Sequence, residues 1–164
     1  MNATNDERKK IWDLIRDARV AMLTSEDDGR LRSRPMVASQ KNFDDGCLWF
    51  FTQKNSPKAE QVESEHQVNV AYANTADNSY VSLSGAANLV FDRTDIDAHW
   101  NEMLKAWFPQ GKDDPNIALL KVDVAQAEYW DSPGSRMVVA FDYLKARITG
   151  SAPQLGENKK VTLD

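Results

Sequence analysis

Apolar positions follow two rhythms along this chain. Near the amino terminus Ile11, Leu14, Ile15 and Ala18 recur at intervals of three and four behind a Thr4/Glu7 pair that matches a capping box, which predicts a helix from about Thr4 to Ala18. The rhythm then shortens. RVAMLT, RLRSRPMVA, CLWFFT, QVNVAYAN and YVSLSGAANLVF are short runs rich in apolar, β-branched and aromatic residues, separated by the turn sequences DDG, NFDDG and NTADNS. They predict five strands, mostly antiparallel. A helix is expected from Thr94, capped by Thr94 with Asp97 three residues on; Ile96, Trp100, Met103, Leu104 and Trp107 form one core-facing stripe until Pro109 ends it.

Beyond the GKDDPN loop, IALLKVDV and AEYWD read as two further strands. Met137, Phe141, Leu144 and Ile148 fit a helix, a reading preferred slightly over a strand at RMVVAF. From Gly150 the sequence SAPQLGENKKVTLD lacks periodicity, so residues 151–164 are expected to form a flexible tail behind a single domain at 1–150. Many short strands with few long crossovers must deal with their free edges. The expected fold class is therefore mainly β with flanking helices (α+β), a closed or half-closed antiparallel barrel of six to seven strands.

Composition narrows the function classes. The 164 residues are enough for one core, and 41% apolar with 27% charged residues describes a globular chain and not a disordered one. A net charge of −5 argues against sequence-independent binding of nucleic acid. Cys47 is the only cysteine, so no intrachain disulfide forms. No apolar run is long enough to span a bilayer and MNATNDERKK lacks a signal-peptide core, so a cytoplasmic location is expected. His66 and His99 are far from each other and from Cys47 in sequence, which leaves no metal site to assign. GxSxG, HExxH, CxxC and GxxxxGK[ST] are all missing.

The stretch CLWFFTQKNSPKAEQV carries the main candidate chemistry. Ser56 before Pro57 is a good helix cap by itself. Thr52 and Ser56 also supply hydroxyls, and Lys58 places a positive charge in a first helical turn, where it opposes the helix dipole unless an anion is present. A capped helix and a phosphate cradle are both compatible with these residues. One strand earlier, Arg30, Arg32 and Arg34 share a face, with Leu31, Ser33, Pro35 and Val37 on the other, and Pro35 implies a sheet edge. Trp130 reads as a core or interface aromatic.

In their order, RPM on one strand, FFT ending the next, SPKA opening a helix and EYW late in the chain resemble the pyridoxamine 5′-phosphate oxidase-like, FMN-binding split β-barrel family, and within it the general stress protein 26 branch. The resemblance spans about residues 5–148. It implies a homodimer with FMN, or alternatively FAD, in a cleft between subunits. Arg34, Pro35 and Met36 would match the strand along the flavin, Phe51 and Thr52 the family's Tyr-Thr pair, and Ser56 and Lys58 the Ser-Arg-Lys segment that grips the phosphate. Trp130 would match the tryptophan that approaches the flavin from the other subunit.

Departures from the pattern are informative. Pro57 replaces the arginine of Ser-Arg-Lys, Ser39 stands where the oxidases carry a lysine, and Tyr80 where they carry a flavin-facing glutamine. Their Arg-Leu-His motif is reduced to Arg136, Met137 and Val138, and a later arginine is replaced by Ala140. These changes argue against oxidation of pyridoxamine 5′-phosphate. The expectation is a flavin-binding general stress protein with a redox role and no side chain standing out as a catalytic acid or base. The alternatives are a flavin reservoir or sensor without turnover, and a barrel that serves as an interaction module or holds a deazaflavin or haem.

Overall fold

A computed structural model describes residues 3–56, 67–132 and 156–163, together with Lys145, Arg147 and Gly150. The elements are α1 (Asn5–Ile15), β1 (Val20–Asp27), β2 (Arg30–Val37), β3 (Cys47–Gln53), β4 (Gln67–Asn74), β5 (Ser79–Val90), α2 (Arg93–His99), β6 (Ile117–Asp131) and β7 (Glu157–Thr162). The helix expected after Ser56 lies outside the described residues, as does the one across Met137–Ile148 apart from Lys145 and Arg147, which are helical.

The capping box at α1 forms as the sequence predicts: the Glu7 amide donates to Thr4 Oγ1 (3.2 Å) and the Thr4 amide to Glu7 Oε2 (2.9 Å). Ile11 and Ile15, one turn apart, are buried inside the barrel with Leu23, Phe50, Val70, Leu83 and Val122. Asp28 and Gly29 both have positive φ (51° and 73°), the backbone of a two-residue hairpin turn that matches strand twist, and they fix the β1–β2 register with Asp27 opposite Arg30.

All pairings are antiparallel, in the order β2-β1-β4-β5-β6-β3 with β7 added to β6. β3 is buried on both faces, which explains the nearly continuous apolar run CLWFF. Leu48 and Phe50 face the barrel interior. Cys47 and Trp49 face a second cluster in which Ile96, Phe108 and Leu119 are buried and Phe51 and Trp100 pack.

Three expectations change. IALLKVDV and AEYWD are one strand, β6, interrupted by a bulge where its register against β5 shifts between Ser84 and Gly85. Interior positions run Leu120, Val122, Val124 and then Ala127, Tyr129, so the extra residue reverses the alternation and makes one strand read as two. Gly85 is required there, because a Cβ would lie 2.1 Å from the Asp123 carbonyl oxygen.

The tail contains β7, paired to β6 from Gln126↔Thr162 to Asp131↔Glu157, with Val161 and Leu163 buried. It is held by pairing and by the Lys159–Glu7 ion pair (2.8 Å), neither of which has a local signature. The helix expected to run from Thr94 to Pro109 is capped instead by Asp92, whose side chain accepts from the Thr94 and Asp95 amides, and it stops at His99 because Trp100 is extended. A 3-10 turn, Glu102–Ala106, follows under its own Asn101 cap.

Candidate functional site

β2 and β3 are the two ends of the sheet, and they meet over only a few residues. Ala38 bridges Phe50, the Ser39 amide and hydroxyl both donate to the Trp49 carbonyl (2.8 and 3.0 Å), and the Trp49 amide donates to Gln40 Oε1 (3.2 Å). Continuing that antiparallel register would set Val37 against Phe51, Met36 against Thr52 and Pro35 against Gln53. Among the described residues those pairs do not form, and the two edges part. The same six residues line a cavity of about 370 Å³. Its other walls are Ser56 and, from the 3-10 segment, Leu104, Trp107 and Phe108. That volume lies within the range of small-molecule sites.

Pro35 is suited to this edge, where strand pairing places the least demand on a backbone N–H. At the β3 side the chain bends through a turn closed by the Ser56 amide on the Gln53 carbonyl (3.1 Å), and the Lys54 amide donates to the Asn116 carbonyl (2.7 Å). The bend brings Thr52 Oγ1 and Ser56 Oγ within 3.1 Å of each other, with both residues buried (4% and 9% exposed). Two adjacent hydroxyls in a mainly apolar cavity can turn their protons to an anionic group. The lining contains no carboxylate, imidazole, amine or thiol among the described residues.

Pro35, Met36, Phe51, Thr52 and Ser56 are thus brought together. The Phe51 ring also packs edge-on against Trp100 (5.8 Å between centroids) and at a tilt against Phe108 (6.3 Å), so it ties β3 to the segment that closes the cavity. Arg34 is half-buried one residue before the lining, and its guanidinium donates to the buried Ser25 hydroxyl (2.8 Å). Burial, and next the charge of Arg32, lower its pKa, yet an arginine there remains charged. Arg32 itself turns out to Asp27.

Trp130 is not among the cavity residues of its own chain. It sits on β6 between Tyr80 of β5 and Asn158 of β7, and both aromatic residues are 40% exposed. Lys58, Arg136, Met137, Val138 and Ala140 lie outside the described residues. Cys47 is buried and bonded to Asp123 (3.2 Å), and burial above all pushes its thiol up to about 12, which makes it inert. His99 stacks on Trp49 (4.5 Å between centroids) away from the cavity lining.

Sequence reasoning assigned Leu104 and Trp107 to a core stripe and passed over Gln53 and Phe108. The signal available was Asn101, a good cap two residues before Met103, which marks a new turn and not a continuing helix.

A half-closed antiparallel barrel with a ligand-sized cleft at the split between its terminal strands is the architecture of a split-barrel protein. The family model described as "Pyridoxamine 5'-phosphate oxidase like" matches residues 6–154, and the chain belongs to that family. Among solved structures it is similar to a general stress protein 26 from Jannaschia sp. CCS1, at 28% identity and a TM-score of 0.77 over 97% of this chain and 99% of that one. It is also similar to the general stress FMN/FAD binding protein of Xanthomonas citri, at 31% identity and a TM-score of 0.68 over 78% and 90% of the two chains. Protein bli-3 of Neurospora crassa is 27% identical over 152 residues, 87% of this chain and 73% of that protein. Among the described residues no helix is long and apolar enough to cross a membrane.

Proposed function

We propose that the chain binds a flavin, FMN with FAD as the alternative, in the cleft where β2 and β3 part, and serves as a flavin-dependent redox protein of stress physiology. The observation that carries this reading is the cleft itself: two strand edges with room for a flat ring, ending at a buried pair of hydroxyls. The Xanthomonas citri protein, named for FMN/FAD binding, supports it at 31% identity. In this reading the β2 edge from Arg34 to Met36 runs along the ring. Thr52 and Ser56 donate to the phosphate, and Lys58 supplies the positive charge that Pro57 does not. The flavin, when bound, supplies electron transfer. The apolar side chains of Pro35, Met36, Val37 and Phe51 orient it and keep water off one face. Pyridoxamine 5′-phosphate is not the substrate in this reading, because Met137, Val138 and Ala140 replace the groups that would hold it.

A homodimer belongs to the same proposal. Cross-strand register sets Val20, Met22, Pro35 and Val37 on the outward face of the sheet that also carries Tyr80 and Trp130. Apart from the part of Pro35 and Val37 in the cavity, these exposed apolar groups have no role within one chain, and they suit a face shared by two copies. Trp130 would then approach the flavin of the other copy.

The test is titration with FMN, followed by quenching of flavin fluorescence, with light scattering on the same sample. Saturable binding at micromolar or tighter affinity by a dimer, weakened in Lys58→Ala, is the expected result. A protein that neither carries nor binds FMN or FAD refutes the reading. Rapid reduction of bound flavin by NADH or NADPH and reoxidation by an acceptor would separate an enzyme from a reservoir.

A further inference from the structure

Resting on the flavin reading, we infer that Trp107 is a stacking platform for the adenine of a flavin that carries an adenosine monophosphate half, so that this site prefers FAD to FMN. Trp107 is 64% exposed and lines the cleft, and its indole makes no hydrogen bond or ring contact among the described residues. The fold holds it in place without using its ring. Its amide donates to the Leu104 carbonyl (3.0 Å), and Phe108, next in sequence, is buried against Phe51. The segment beyond is tied back by Arg93, which donates to the Lys112 carbonyl (2.8 Å) and pairs with Asp97 and Asp113.

The contact between Phe108 and Phe51 sets this ledge on the β3 side of the cleft, where Thr52 and Ser56 also stand. A ligand whose phosphate sits at that hydroxyl pair extends from it over the ledge if anything further is attached to the phosphate. In FMN the phosphate carries only the ribityl chain of the flavin; in FAD it also carries a second phosphate, a ribose and adenine. A flat base meeting an exposed indole gains stacking that FMN cannot use. The Met103 side chain is also exposed (82%), but it is outside the lining and serves as a control.

The experiment is titration of the full chain with FAD and with FMN, for the wild type, Trp107→Ala, Trp107→Phe and Met103→Ala. Expected are tighter binding of FAD than FMN by the wild type and a loss of about tenfold or more in FAD affinity in Trp107→Ala. FMN should change by less than about twofold, Trp107→Phe should recover most of the loss, and Met103→Ala should match the wild type. Equal effects of Trp107→Ala on both flavins, or none on FAD, overturn the inference and leave the flavin reading standing. If the wild type binds neither flavin, the flavin reading itself fails and this inference with it. Circular dichroism checks folding, which an exposed side chain should not disturb.

Discussion

Replacing Ser56 by alanine probes the proposed phosphate anchor at one atom. Without ligand, Ser56 Oγ and Thr52 Oγ1 share a hydrogen bond of 3.1 Å, a neutral bond worth about 1 kcal/mol. A hydroxyl that turns to a phosphate oxygen makes a charge-assisted bond worth about 1.5–3 kcal/mol. The net gain is the difference, about 0.5–2 kcal/mol, so Ser56→Ala should weaken FMN binding by about 2- to 30-fold. Riboflavin, which has the same ring and no phosphate, separates this effect from general damage to the cleft. Fluorescence titrations of both variants with both ligands should show the loss for FMN alone. An equal loss for riboflavin would mean that Ser56 shapes the cleft and holds no phosphate, and unchanged FMN affinity would remove the anchor altogether. The same substitution takes one partner from the buried Thr52 hydroxyl, so a drop of about 1 kcal/mol in unfolding free energy should accompany it whether or not flavin binds.

Two further predictions concern the frame that carries the site. Gly85→Ala should lower the urea midpoint by the equivalent of about 1–3 kcal/mol or more, because the added methyl meets the Asp123 carbonyl at 2.1 Å and the bulge that sets the phase of β6 must yield; an unchanged midpoint would show that the bulge relaxes freely. Glu7 is held near a pKa of about 2, down from 4.5, chiefly by the side chain of Lys159 and then by the Thr4 amide. A carboxylate with a depressed pKa contributes stability that is complete above its unfolded value and is lost as pH falls through its folded one. The melting temperature of the wild type should therefore exceed that of Glu7→Gln above about pH 4.5, and the two should converge as pH falls toward 2. A gap that stays constant across that window would show that the link between α1 and β7 carries no charge-dependent stability.

What the sequence determined by itself is local. The Thr4/Glu7 box, the alternation in VAMLT and QVNVAYAN and the Asp28-Gly29 turn each act over a few residues, so the elements they specify stand where the pattern puts them. Motif order was also legible, and it led to the split-barrel family and to the residues Pro35, Met36, Phe51, Thr52 and Ser56 that converge on one cleft. Tertiary structure decided what depends on partners distant in sequence. Val161 and Leu163 are too few to show a period, and only pairing with β6 makes their segment a strand. The stripe through Ile96, Trp100 and Trp107 keeps helical spacing although the chain breaks at Trp100, because spacing alone does not distinguish one helix from two short turns. Trp107 consequently stands at the cleft and not in the core. The cleft exists because β2 and β3, far from each other in sheet order, pair at Ala38 and Phe50 and then part. Where two strands stop pairing is set by the twist and closure of the whole barrel, which no window of sequence contains.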